Sequence, residues 1–378
     1  MLAGAGMFVF GIVMALVGAV VPTLTTRLAL TLADVGTLFL VMNFAMLVAS
    51  LALGLVVDRL GLKLPLAMGA WLVAAGLAVV ATAGSMSVLL LAVACLGLGG
   101  GALNGGTNTL VADLHDDERT KGAALNRLGV FFGFGALMLP FLIGTLTSRF
   151  GVAALLQAAA VLCTATGLAG VMLVFPLPKQ THGWPLASVG RFARLPLVRA
   201  LALLLFFQSG NEFLLGGYIS SFLTRELEVS ADMASYWLAA FWASIMVMRL
   251  VLGRLLLQLP GTSVVLASAA AAAGGALILA TASSLPVAAA GILITGLALA
   301  GIFPTVLGLA SGRFREQSGA VFGLLFTIAL SGGMTMPWVA GRLADVAGIR
   351  WVFALAAAGF TLVAIFGAAA RRELRAST

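Results

Sequence analysis

Long apolar runs alternate along the sequence with short clusters that hold most of the charged residues. Most runs are about 20 residues long, which is the length that an α-helix needs to cross the hydrocarbon core of a bilayer. Breaking the chain at the polar clusters predicts twelve membrane-spanning helices, at residues 2–25, 35–57, 64–84, 88–112, 122–147, 151–175, 198–224, 233–259, 263–282, 286–311, 318–343 and 350–370.

Composition places the chain outside the range of soluble proteins. Hydrophobic residues make up 62% of the 378 residues and charged residues 9%, whereas about a quarter of a soluble domain is charged. The net charge of +8 needs no nucleic acid to explain it, because basic residues accumulate on the cytoplasmic side of membrane proteins. One set of alternate loops carries 15 of the 21 Lys and Arg residues and the other carries 5. Both termini are therefore predicted to face the cytoplasm.

The sequence also predicts two similar halves. The longest break between apolar runs, residues 176–196, contains four prolines and no acid. A proline and two glycines in and just after the fifth predicted helix recur 197 residues later in and just after the eleventh: Pro140, Gly144 and Gly151, then Pro337, Gly341 and Gly348. A parallel repeat of two six-helix bundles, with a binding site near the midplane, is a known transporter plan.

We therefore predict an all-α membrane protein of twelve transmembrane helices. An N-terminal six-helix bundle would occupy residues 1–175 and a C-terminal six-helix bundle residues 197–378. A cytoplasmic linker at 176–196 would join them.

The seventh predicted helix carries a polar cluster in the middle of its apolar run. Gln208, Asn211 and Glu212 stand at positions i, i+3 and i+4, which places them on one helical face. Arg199 and Arg225 lie 13 residues to either side of Glu212, so its carboxyl is predicted near the bilayer midplane. A charge there is costly and almost always faces a cavity or a partner. This face is a candidate solute-binding surface with Glu212 as proton carrier; the alternatives for Glu212 are a structural ion pair and a buried neutral acid.

The loop after the second predicted helix carries a charged motif, GLVVDRLGLK, which begins at Gly54. By chemistry alone it is a tight cytoplasmic turn of mixed charge. By spacing it resembles the loop signature of the major facilitator superfamily, G-x-x-x-D-R-x-G-R-[KR], with Leu62 replacing the first trailing basic residue and Lys63 keeping the second. The resemblance implies that Asp58 and Arg59 latch the cytoplasmic ends of the two bundles and release them as the bundles alternate.

The fourth predicted helix is dense in glycine, which lets helix backbones approach closely. It also carries Asn104 and Asn108 at positions i and i+4. An amide inside a membrane must find a partner. Two roles remain open for this pair, namely hydrogen bonding between helices and contact with a substrate.

A narrower resemblance rests on Glu212 with Tyr218 in the seventh predicted helix and on three later stretches: FWASIMVMRLVLGRL, GIFPTVLGLA and SGAVFGLLFTIALSGGMTMPWVAGRLAD. Together they resemble the sugar-transporting branch that includes the fucose–galactose–glucose:proton symporters. That resemblance implies a sugar substrate and proton coupling. The branch usually has an acid in the first helix and another in the fourth, whereas here the first has no charge and the fourth carries amides. Glu212 is therefore the carboxylate left to couple protons.

Two residues of the eighth predicted helix complete the candidate site. Arg249 lies five residues before Arg254, about 7.5 Å deeper in the membrane at 1.5 Å per residue. It either extends its side chain to the cytoplasmic surface or finds a partner in the cleft, which would be Glu212 or a substrate oxygen. Trp242 either lies at the membrane interface or stacks on a sugar ring.

The sequence contains no nucleophile–base pair, metal-ligand cluster or phosphate-binding loop, which argues against an enzyme, a cofactor or an ATP-driven pump. The predicted function is a secondary active transporter that moves a small polar solute, best described as a monosaccharide, by alternating access and in step with protons through Glu212. We expect a monomer that spans a bacterial-type inner membrane several times. An exporter of amphipathic drugs, an uncoupled facilitator and a membrane receptor that transports nothing remain the alternatives.

Overall fold

The computed structural model describes residues 1–115, 118–175, 190–256, 258–314 and 318–376, and their regular secondary structure is helical, without a strand. Most of the predicted linker, residues 176–189, lies outside these ranges. The helices are α1 (Leu2–Leu28), α2 (Leu32–Leu60), α3 (Lys63–Thr82), α4 (Met86–Leu114), α5 (Glu118–Met172), α6 (Pro196–Glu226), α7 (Ala231–Leu255), α8 (Gly261–Thr281), α9 (Leu285–Leu299), α10 (Ile302–Arg313), α11 (Ser318–Ala347) and α12 (Arg350–Ala376).

Within the described ranges, eleven helical segments are long and apolar enough to cross a membrane. The protein is therefore a multi-pass membrane protein, as the sequence predicts. One segment, Arg127–Met172, has 46 residues, about twice the length that a single crossing needs. Its backbone leaves the helical region at Gly151, where φ is 75° and ψ is 154°. The count of twelve crossings stays a prediction.

The last glycine of each copy of the repeat has a positive φ angle. Gly151 interrupts α5 with φ 75°, and Gly348 lies between α11 and α12 with φ 98°. Residues other than glycine rarely adopt a positive φ because their Cβ atom clashes with the backbone. The repeated glycines thus mark two equivalent breaks between helices.

The described chain separates into two compact units. The first comprises Met1–Leu30, Leu38–Gly183 and Ser230–Ala239, and the second comprises Thr31–Thr37, Trp184–Val229 and Ala240–Thr378. Helix α2 therefore begins in the second unit and continues in the first.

Close backbone packing through glycine characterises α4 in the first unit. A Cβ atom at Gly101 would lie 2.6 Å from the carbonyl oxygen of Met46 in α2, and one at Gly99 would lie 2.9 Å from the backbone nitrogen of Val73 in α3. No real Cβ atom approaches backbone so closely. The glycines let α4 fit between α2 and α3, as expected for small residues in membrane helices.

Helix α6 is the most enclosed element of the second unit. Every residue from position 208 to 223 is buried, and a helix that is buried on all sides lies at the centre of its bundle. Gly210 permits the close approach of α11, because a Cβ atom there would lie 2.9 Å from the carbonyl oxygen of Gly332 and 2.8 Å from the Cβ atom of Met336. This packing positions the polar cluster of α6.

Candidate functional site

A buried hydrogen bond joins two of the predicted site residues on α6. The Gln208 side-chain nitrogen Nε2 donates to Glu212 Oε2 at 2.9 Å, one helical turn away. Gln208 is fully buried and Glu212 is 8% exposed. Among the described residues, Gln208 Oε1 has no hydrogen-bond partner. The pair therefore contains a carboxyl group and an unsatisfied acceptor in the interior of the second unit.

Arg249 of α7 is the charged residue that acts on Glu212. The charge of Arg249 acts on Glu212, and the charge of Glu212 acts on Arg249. Arg249 is half-buried. The charges of Arg249 and Glu212 are thus neighbours within the second unit, and an ion pair between them stays a prediction.

Asn211 lies beside this pair in sequence but is held by another helix. Its Nδ2 donates to the backbone oxygen of Ala356 in α12 at 3.1 Å. Gly359 leaves room for the amide, since a Cβ atom there would lie 2.7 Å from Nδ2. The structure therefore brings Gln208 and Glu212 together and directs Asn211 to α12.

Trp242 lies against α6 one turn beyond Glu212. Its side chain is 1% exposed, and a Cβ atom at Gly216 would lie 3.0 Å from the indole ring. Because Gln208, Glu212 and Gly216 are four residues apart, they form one stripe along the helix. Gly216 was not predicted from the sequence, although it lies four residues after Glu212.

Tyr218 is engaged in packing of the second unit. It is fully buried, and its hydroxyl oxygen lies 3.0 Å from the backbone carbonyl oxygens of both Leu32 and Pro337, which share its single O–H donor. The hydroxyl thus ties the start of α2 and the proline of α11 to α6. A contact between Tyr218 and a substrate stays a prediction.

In the first unit, the two asparagines of α4 bond to each other. Asn108 Nδ2 donates to Asn104 Oδ1 at 3.2 Å and to the Asn104 backbone oxygen at 2.8 Å. Both residues are half-buried.

A third amide, Asn43 of α2, is fully buried and donates to the Phe39 backbone oxygen at 3.0 Å. It was not predicted from the sequence, although it stands alone in an apolar run.

The predicted latch residues lie at the end of α2. Asp58 and Arg59 are exposed and Gly54 is half-buried. Gly61 ends the helix with φ 70°, and its N–H donates to the Val57 carbonyl oxygen at 2.9 Å. A glycine in the left-handed conformation is a common helix terminator, so the motif has the turn that its sequence predicts.

Structures of several transporters are similar to this chain. The E. coli fucose:proton symporter matches with a TM-score of 0.69 at 19% identity, over 97% of this chain and 97% of its own. A D-xylose–proton symporter matches with a TM-score of 0.82 at 14% identity, over 97% and 95%. The nucleoside transporter NupG matches with a TM-score of 0.82 at 15% identity, over 98% of both chains. At these identities the likeness shows a shared fold.

A comparison of the sequence with models of protein families identifies the family to which the chain belongs. The model of the Major Facilitator Superfamily matches residues 3–200 and, a second time, residues 201–377. A search of curated protein sequences gave no match. The predicted resemblance to this superfamily and to its sugar-transporting branch, which includes the fucose–galactose–glucose:proton symporters, is thus confirmed. Because the family model covers nearly the whole chain, the protein belongs to the Major Facilitator Superfamily.

Proposed function

We propose that this transporter moves a small polar solute by alternating access and couples its movement to protons through Glu212. The observation that carries the proposal is the buried pair of Glu212 and Gln208 in the middle of α6. Ionisable residues inside membrane segments are costly to keep and usually belong to a substrate or ion pathway.

The proposed architecture is two six-helix bundles, residues 1–175 and 197–378, with both termini in the cytoplasm. The break at Gly151 supports dividing α5 into two crossings, which raises the eleven segments to twelve. The two consecutive matches to the family model support two repeats. The excess of basic residues in one set of loops supports the orientation. We place the monomer in a bacterial-type inner membrane.

Glu212 would hold the proton and Arg249 would stabilise the carboxylate after the proton leaves. The electrostatic interaction between the two side chains supports this division of roles. As the bundles alternate, Glu212 would take a proton from one side of the membrane and release it on the other. On the cytoplasmic side, Asp58 and Arg59 would latch the bundle ends in one state.

The proposed substrate is a solute with several hydroxyl groups, such as a monosaccharide. Gln208 supplies an amide that can donate and accept, and Trp242 supplies an aromatic ring that lies against Gly216, two turns further along α6. Asn104 and Asn108 would add amides from α4. The similar structures include fucose, D-xylose and nucleoside transporters, whose substrates all contain a hydroxylated sugar ring.

Counterflow into proteoliposomes tests the substrate class. Vesicles containing the purified protein are preloaded with an unlabelled monosaccharide, nucleoside or amphipathic amine, and entry of the same labelled compound is followed. Entry of at least one monosaccharide or nucleoside above protein-free vesicles is expected. Entry of the amine alone would overturn the proposal in favour of a drug exporter. A compound that raises the melting temperature without entering the vesicles would overturn it in favour of a receptor that transports nothing.

A further inference from the structure

An unsatisfied oxygen stands next to the proposed proton site. Gln208 is fully buried, its Nε2 bonds to Glu212, and its Oε1 has no hydrogen-bond partner among the described residues. Buried polar atoms nearly always have a partner, because leaving one unpaired is costly. Other buried side-chain atoms of the described residues also have no partner, among them Asn211 Oδ1, but Gln208 Oε1 is the one that shares its amide with the bond to Glu212.

The two ends of the Gln208 amide match the two protonation states of Glu212. An ionised carboxylate can only accept hydrogen bonds, so it requires the N–H end of the amide. A protonated carboxyl gains an O–H donor, which can bond to the oxygen end of the amide, while its other oxygen remains an acceptor. A half-turn about the last side-chain bond exchanges the two ends. The observed bond from Nε2 to Oε2 is the arrangement that suits the ionised form.

We propose that Gln208 is a positioning residue that reads the protonation state of Glu212 and presents the opposite end of its amide to the solute. When Glu212 is ionised, the amide turns its N–H end to the carboxylate and leaves its oxygen unpaired. When a proton from the aqueous side binds to the carboxylate oxygen, the charge of Glu212 changes from −1 to zero. The new O–H then donates to Gln208 Oε1. The N–H₂ group then faces the solute and donates to an acceptor oxygen of a hydroxyl, ring ether or carbonyl group.

This inference rests on the proposed function, and it explains how one proton could favour binding of one solute. In the ionised state the N–H₂ group of Gln208 is bonded to Glu212, whereas in the protonated state the whole group is released to the solute. For a solute that accepts from this group, solute binding and proton binding therefore support each other. By the reciprocity of linked equilibria, each ligand raises the affinity of the other by the same factor.

Few charged groups of the described chain surround Gln208 and Glu212. Arg249 of α7 is the charged group that acts on Glu212. In the described parts of α9 to α12, charged residues stand only toward helix ends: Arg313, Arg342, Asp345, Arg350, Arg371, Arg372, Glu373 and Arg375. Asn211 offers no second switch, since its Nδ2 is held by the Ala356 carbonyl and Gly359 confines the amide.

Difference infrared spectroscopy of the purified full-length protein at low and high pH tests the switch. The C=O stretch of the protonated Glu212 carboxyl is assigned as the band that disappears in Glu212→Gln. In Gln208→Met, which keeps the length of the side chain and removes its hydrogen bonds, we expect this band to move to higher frequency. The matched control is Asn211→Leu, which removes a buried amide on the same helix and should leave the band in place.

A second measurement needs no variant. In wild-type protein whose glutamines carry ¹³C in the side-chain carbonyl, a ¹³C-shifted amide band should change together with the Glu212 band. Solute binding supplies a third measurement, because its dependence on pH should be lost in Gln208→Met and kept in Asn211→Leu.

The outcomes separate this inference from the function on which it rests. A Glu212 band at the same frequency in wild type and Gln208→Met, or a ¹³C-glutamine band that stays constant as Glu212 titrates, would overturn the switch while leaving Glu212 as the proton carrier. The absence of any band lost in Glu212→Gln would overturn the proton-carrier role itself.

Discussion

The carboxylate of Asp345 caps the start of α2, where its Oδ1 accepts a hydrogen bond from the Leu32 N–H at 3.0 Å. Its Oδ2 accepts from the Ala33 N–H, also at 3.0 Å. Thr31 and Asp34 add a local capping box, since the Asp34 carboxylate accepts from the Thr31 N–H and the Thr31 hydroxyl accepts from the Asp34 N–H. The stretch Thr31–Thr37, which contains the start of α2, belongs to the second unit, and so does Asp345. The first turn of α2 is therefore held to α11 by a carboxylate at its positive end.

We predict that Asp345→Ala lowers the free energy of unfolding by about 1 kcal/mol, which is the usual value of a lost helix cap. Hydrogen exchange at the Leu32 and Ala33 amides should accelerate, and mass spectrometry of the peptide that contains them can measure it. Glu373→Ala is the control, because Glu373 is an exposed acid at the far end of α12. Unchanged exchange at both amides in Asp345→Ala would show that the cap has no such effect.

Trp242 provides a second prediction, through its contact with Gly216. A leucine at position 216 would displace the indole ring, since a Cβ atom alone would lie 3.0 Å from it. Gly216→Leu should weaken solute binding by at least about tenfold, a factor that corresponds to 1.4 kcal/mol, and should shift the tryptophan fluorescence. Gly274→Leu is the matched control, because a Cβ atom at Gly274 of α8 meets no atom within 4 Å. Equal solute affinities in the two variants would exclude Trp242 from the binding site.

The asparagine pair of α4 gives a third prediction. The hydrogen bonds of Asn108 go to Asn104 on the same helix, so removing the amide breaks no bond between helices in the described structure. Asn108→Ala should therefore cost less than the roughly 0.6 kcal/mol typical of an interhelical hydrogen bond, while solute affinity falls. Thermal unfolding and solute binding of the same preparation measure both. A clear loss of stability with unchanged affinity would instead favour a packing role.

The sequence predicted the elements that depend on local pattern. The apolar runs gave the membrane helices, and the repeated glycines marked the breaks at Gly151 and Gly348. Glu212 stood out because a carboxyl in the middle of an apolar run has no local explanation. The i to i+4 spacing predicted that Gln208 lies on the same helical face, and the structure adds the hydrogen bond between the two side chains.

The remaining features depend on which helices become neighbours, and no single run of sequence encodes that. Asn211 shares a turn with Glu212, yet it bonds to Ala356, 145 residues away. Trp242 packs against α6 at Gly216, where the absence of a side chain leaves room for the indole ring. The sequence shows that Pro337 repeats Pro140. The hydrogen bond from Tyr218 to the Pro337 carbonyl, however, forms only when α6 packs against α11.

The loop motif gives a fourth prediction. If Asp58 and Arg59 latch the bundle ends in one state, Asp58→Asn should shift the balance between conformations while solute affinity within each conformation is kept. Distances between spin labels on the two halves, measured by pulsed electron paramagnetic resonance, would report the shift. Lys63→Gln is the control for loss of one charge in the same loop. A distance distribution in Asp58→Asn that matches the wild type would remove the latch from the account.

The most direct test of the central claim is solute accumulation in proteoliposomes under a pH gradient, compared between wild type and Glu212→Gln. Glutamine mimics the protonated carboxyl, so the variant should still exchange solute in counterflow but should accumulate none against a concentration gradient. Glu228→Gln makes the same chemical change at an exposed position just beyond α6 and should accumulate solute as the wild type does. Accumulation that persists in Glu212→Gln would contradict the account, because the proton would then be carried by another group.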